Sequence, residues 1–162
     1  MYVGGTLSEQ LSKLSDSIYF QSPPGAAGRA ALYVNLFVGS SLDYRAGGAR
    51  LVQSTDFPVG TGATTTLTIR SLDGRSAPKR FALMLRVPSW ANGSNSVTLN
   101  GKEVLPAGFG AGKFLRLEFQ WEVGDVIVAS YPMAASREML RDERSAFNAT
   151  MAFKYAEANG YL

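Results

Sequence analysis

The 162-residue chain contains no cysteine and no histidine. Without cysteine it forms no disulfide, offers no thiolate nucleophile and builds no Cys-type zinc site. Without histidine it also lacks the usual general base and the commonest metal ligand. Catalysis within this chain would rest on carboxylates, Lys, Tyr or Ser. It is equally short of long apolar runs: none reaches bilayer-spanning length, and no charged-then-apolar leader opens the sequence. Charge of one sign is scarce as well. The formal net charge is +3, and Arg137, Arg141 and Arg144 alternate with Glu138, Asp142 and Glu143. A nucleic-acid surface needs a one-sided basic stripe, which this pattern does not supply. These absences predict a partner set without nucleic acid or membrane, and no cofactor or metal held by this chain.

What remains is the composition of a globular protein, with 46% hydrophobic and 18% charged residues, enough for one ordinary domain. Phe81–Ala91 is the clearest strand. Phe81, Leu83, Leu85 and Val87 fall on one face, and Ala82, Met84 and Arg86 on the other. Pro88 removes a donor and stops the ladder just before Trp90.

Thr6-Leu7-Ser8-Glu9 reads as a capping box. Leu7, Leu11 and Leu14 then recur at helical spacing, predicting a short amphipathic α-helix over residues 7–14. From Ser17 onward the pattern is β. Strands are predicted at 17–21, 32–38, 42–44, 49–57, 64–70, 81–91, 96–104 (a hairpin), 113–121, 126–131, 134–140 and 147–155. Two aromatics on the second face of 32–38, Tyr33 and Phe37, predict that this face is partly covered. Asn100-Gly101 is a type I′ hairpin signal, because both central residues need positive φ. The expected fold is all-β: an antiparallel β-sandwich of about ten short strands, preceded by one short N-terminal α-helix.

Several features invite a chemical reading. Gly108–Gly112 lacks the lysine and hydroxyl of a phosphate loop and precedes a strand, so it reads as a flexible β-loop. Asp142 and Glu143 are neighbouring carboxylates, but Arg141 and Arg144 flank them as in a solvated turn. Serine hydrolysis is rejected, for want of a histidine and of a Gly-x-Ser-x-Gly turn. Trp90 and Trp121 are candidate sugar-stacking aromatics. Strand parity sends Trp121 to the core, while Trp90 stays open at a strand end. Asn92-Gly93-Ser94 and Asn148-Ala149-Thr150 fit the N-glycosylation pattern and lean weakly toward a secretory route.

Taken together, Ser12–Phe20, Leu85-Arg86-Val87-Pro88-Ser89-Trp90-Ala91, Val97–Lys102, Trp121-Glu122-Val123-Gly124-Asp125 and Tyr131-Pro132-Met133 occur in a characteristic order. The chain resembles the downstream part of glycoside hydrolase family 127, the β-L-arabinofuranosidase-like enzymes, from about Gly5 to Tyr155, especially its plant-type members. The resemblance implies an upstream (α/α)6 helical barrel carrying the active site, followed by β-sandwich domains. It also implies a cysteine nucleophile and a zinc ion held by cysteines and a glutamate. The family's paired cysteines align with Tyr2 and Val3, which serve neither purpose, and Glu9 aligns with a family glutamate but caps the helix.

The resemblance therefore implies that residues 1–16 are a remnant of the last barrel helix, 17–155 the sandwich and 156–162 a tail. The chain would be a fragment or degenerate copy without hydrolytic activity. Its partner would be the missing barrel, and zinc would belong to that missing part. Two other readings accompany this one. The first is a carbohydrate-binding module that engages a plant-type oligosaccharide through Trp90. The second is an interaction domain using the leucine face of the first helix.

Overall fold

The computed structural model describes residues 13–23, 30–56, 62–91, 95–107, 109–133, 135–139 and 151–155. The predicted α-helix over 7–14 lies outside them except for Lys13 and Leu14. There the chain is already turning into a short 3-10 segment, Leu14–Ser17. Asn92-Gly93-Ser94, Asp142, Glu143 and Asn148-Ala149-Thr150 also lie outside the described residues.

Apart from a second 3-10 turn at Arg45–Gly47, the rest of the regular structure among the described residues is strand: β1 (Tyr19–Gln21), β2 (Ala31–Val34), β3 (Ser40–Tyr44), β4 (Ala49–Thr55), β5 (Gly62–Ser71), β6 (Arg80–Arg86), β7 (Ser96–Leu99), β8 (Lys102–Glu103), β9 (Phe114–Gln120), β10 (Val126–Pro132), β11 (Ala135–Met139) and β12 (Met151–Tyr155). A four-stranded sheet has the order β1-β2-β6-β9, a six-stranded sheet the order β3-β4-β5-β10-β7-β8, and β11 pairs with β12. The all-β sandwich is therefore as expected.

One pairing is not. β2 and β6 run parallel, with Leu32 opposite Leu83 and Val34 opposite Leu85. Parallel neighbours need a long crossover. Here β3, β4 and β5 supply it by visiting the other sheet, a connection that strand periodicity does not reveal.

The alternating faces of the two larger sheets close on one core. Leu32, Val34, Phe81, Leu83, Leu85, Leu115 and Leu117 meet Leu51, Leu67, Ile69, Val97, Ile127 and Tyr131. Trp121 is fully buried among them. Its Nε1 donates to the Phe81 carbonyl at 3.0 Å, which satisfies the one polar atom of a large apolar group. Phe119 shares its parity yet is 37% exposed, near the end of the edge strand β9.

The strand predicted at 32–38 stops at Val34. The N–H groups of Asn35 and Leu36 turn to the Ile18 carbonyl. Gln53 Nε2 then donates to the carbonyls of Leu36 (2.9 Å) and Val38 (2.7 Å). This bend carries Phe37 into the core, where it stacks on Tyr131 at 5.6 Å, so it does not line the second face with Tyr33.

The β7–β8 hairpin follows the turn chemistry, with φ of 50° at Asn100 and 78° at Gly101. Asn100 also ties this hairpin to the β9–β10 turn. Its Nδ2 donates to Asp125 at 2.8 Å, and its Oδ1 accepts from the Val126 N–H at 2.9 Å.

Candidate functional site

Trp90 follows the proline stop of β6. The ladder continues for one more residue, the Val87 N–H donating to the Lys113 carbonyl at 2.8 Å. Pro88 then ends it, and a turn closes from the Ala91 N–H to the Pro88 carbonyl at 3.1 Å. The indole is half-buried and packs against the core, meeting the Tyr131 ring edge-on at 6.4 Å.

Tyr131 is itself buried, and burial pushes its phenol well above the ordinary tyrosine range, so it stays neutral. It donates to the Arg86 carbonyl at 3.0 Å. Trp90 Nε1, Asn95 Oδ1 and Arg86 Nη1 are all out of water with no hydrogen-bond partner. Trp121 has different ring neighbours in the core, Phe81 and Phe119.

A groove lies on the outward face of the four-stranded sheet. Phe20, Gln21, Ser22, Tyr33, Asn35 and Phe114 line a volume of about 460 Å³. Its walls are aromatic: Tyr33 and Phe114 meet edge-on at 5.1 Å. Two of its polar side chains are already engaged. Asn35 Nδ2 donates to the Ser17 carbonyl at 3.1 Å, while Ser22 Oγ donates to the Pro23 carbonyl and accepts from the Ala31 N–H. Sequence reasoning noticed Tyr33 as an outward aromatic but did not bring Phe20 and Phe114 to it. That required the order of strands in the sheet.

Several carboxylates among the described residues do structural work. Asp73 accepts from the N–H groups of Arg75 and Ser76 and from the hydroxyls of Ser71 and Ser76. These bonds hold its pKa far below the carboxylate range. Glu103 is lowered chiefly by the Ser96 hydroxyl, Asp43 by Arg50 and Glu118 by Arg116. Carboxylates held so firmly in the ionised form suit loops and ladders better than proton transfer near neutrality. Among the described residues, no three carboxylates converge as a metal cage would require, and no helix is long and apolar enough to cross a membrane. Gly108 lies outside the described residues. The rest of that glycine-rich loop leads into β9, with Phe109 packed on the core.

Comparison with known proteins gives this architecture a context. No curated protein matches the chain significantly. Among solved structures, a GH127 β-L-arabinofuranosidase from Geobacillus stearothermophilus T6 superposes with a TM-score of 0.73 at 25% identity, covering 93% of this chain and 22% of that one. A protein described as a glycoside hydrolase gives 0.66 at 22% identity, over 86% of this chain and 21% of the other. A GH127 β-arabinofuranosidase gives 0.62 at 20%, over 78% and 21%. The chain thus spans about a fifth of the length of these relatives. Residues 31–133 match the family described as β-L-arabinofuranosidase, GH127 middle domain. The match runs from the first residue of β2 to just past β10 and takes in the six-stranded sheet and three strands of the four-stranded one, leaving out β1, and on it the chain belongs to the GH127 middle-domain family.

Proposed function

We propose that the chain serves as the non-catalytic β-sandwich accessory domain of a β-L-arabinofuranosidase-like glycoside hydrolase, present here as a fragment or degenerate copy. The observation that carries this reading is the middle-domain match over residues 31–133, in relatives about four times as long. In the parent enzyme the sandwich buttresses an (α/α)6 barrel and steadies its rim, while the barrel carries the sugar chemistry. Zinc belongs to that upstream part. With no cysteine and no histidine, this chain offers zinc neither a thiolate nor an imidazole ligand.

The purified chain is expected to release no arabinose from a β-L-arabinofuranoside above the blank. Sustained release would overturn the reading. The family match favours the accessory domain over a carbohydrate-binding module centred on Trp90. Calorimetric titration with arabino-oligosaccharides separates the two: the accessory reading expects no heat of binding, and saturable heat lost in Trp90→Ala would support the module.

A further inference from the structure

The outward face of the four-stranded sheet carries residues that a merely solvated face does not need. The ladders align Phe20 with Tyr33, Tyr33 with Met84, and Met84 with Arg116 across all four strands. On one side of this row Arg86 stands opposite Phe114. On the other, Ala31, Ala82 and Glu118 form a low row with little bulk. The result is a shallow aromatic groove in which Phe20 is 48% exposed. Aromatic, Met and Arg side chains are the residues enriched at the centres of protein interfaces. Arg86 adds a second observation. It stands opposite Phe114 at the margin of the groove, and its guanidinium carries a donor, Nη1, with no acceptor among the described residues.

Two facts say what covers the face. The matched domain is a middle domain, and the relatives have about four-fifths of their length outside the matched part. Within the fold, β1 is the first strand and an edge of this sheet, and the Leu14–Ser17 turn leads directly into it. Chain arriving from upstream therefore enters beside the groove. Consecutive elements tend to be neighbours in space, and a covalent tether lets a modest face hold its partner. A second copy is a poor occupant. Glu118, the one acidic residue on the aligned rows, is already shared by Arg80 and Arg116, so self-pairing offers Arg86 no free carboxylate.

We infer that the outward face of the β1-β2-β6-β9 sheet, centred on Phe20, Tyr33, Met84 and Phe114, is the docking face for the domain that precedes the sandwich in the parent enzyme. That partner presents an apolar surface and an oxygen acceptor for Arg86. The inference rests on the accessory-domain reading and names the surface through which it works.

The test compares this chain with the intact Geobacillus stearothermophilus enzyme. Phe20→Glu in this chain alone is expected to leave Tm within about 2 °C, as for a surface change. Glutamate at the superposed position of the intact enzyme is expected to lower its Tm by roughly 5 °C or more. Hydroxyl-radical footprinting needs no variant: the face labels in this chain and is protected in the intact enzyme. Equal labelling in both would overturn the inference. So would a dimer of this chain that Phe20→Glu dissolves, since that assigns the face to a second copy. Arabinose release by the isolated chain would remove the accessory reading while leaving the labelling contrast to be read separately.

Discussion

The sandwich has two outward faces, and they are built differently. On the six-stranded sheet β5 presents Thr64, Thr66 and Thr68, β4 presents Val52 and Ser54, and β10 presents Val126, Val128 and Ser130. These β-branched and hydroxyl side chains favour strand geometry and tolerate water, so the face needs no cover. The four-stranded sheet instead presents Phe20, Tyr33, Met84 and Phe114. Both faces belong to strands of the same regularity, and their inner sides share one core. Fold stability thus accounts for the inner sides alone. The outer sides differ in exposed aromatic surface, which is what the inferred docking face would use.

The contrast can be probed from the core outward. Trp121→Ala removes a fully buried indole lying next to both Phe81 and Phe119, along with its bond to the Phe81 carbonyl. We expect a loss of about 3–5 kcal/mol in urea unfolding, which would blur both faces at once by loosening their common support. Gly47→Ala comes next. A Cβ there would meet the Tyr44 ring at 2.5 Å and the Phe81 ring at 2.8 Å, both in the packed core. Overpacking of this kind is expected to cost roughly 1–3 kcal/mol by the same measurement.

Acid is the third probe. Asp73, Glu103, Asp43 and Glu118 all have pKa values lowered in the folded chain. Their contribution is therefore complete above the ordinary carboxylate pKa of about 4. It declines as pH falls through the lower folded values. A Tm-against-pH curve should be flat near neutrality and fall in acid. Asp73→Asn should lower the neutral plateau and shallow the acid fall, because four hydrogen bonds lose their ionised acceptor.

The smallest effects separate the faces themselves. Thr66→Ser on the six-stranded sheet and Phe20→Thr on the four-stranded sheet should each change stability by no more than about 0.5 kcal/mol. Only Phe20→Thr should raise solubility, since it alone removes exposed aromatic surface. Equal solubility gains from both changes would erase the distinction between the faces.

Much of this was readable before the fold was seen. The alternation of Phe81, Leu83, Leu85 and Val87 located β6 and its inner face, and Pro88 marked its end. Trp121 was assigned to the core by parity and lies there. Asn100-Gly101 specified its turn through local sterics alone. Phe37 was misplaced because its strand ends early, where Gln53, remote in sequence, captures the carbonyls of Leu36 and Val38. Trp90 was left open between core and surface. It is half-buried against Tyr131, a neighbour supplied by another sheet.

Strand periodicity, turn chemistry and the family's run of motifs are properties of neighbouring residues. They were sufficient for the all-β class, for most strand positions and for the resemblance to GH127. The parallel union of β2 and β6, the order β1-β2-β6-β9 and the groove of Phe20, Tyr33 and Phe114 are of another kind. Each depends on which distant strands lie side by side. That choice is made by the packing of the whole core, because a strand's own pattern states which face is apolar but not which neighbour will share it.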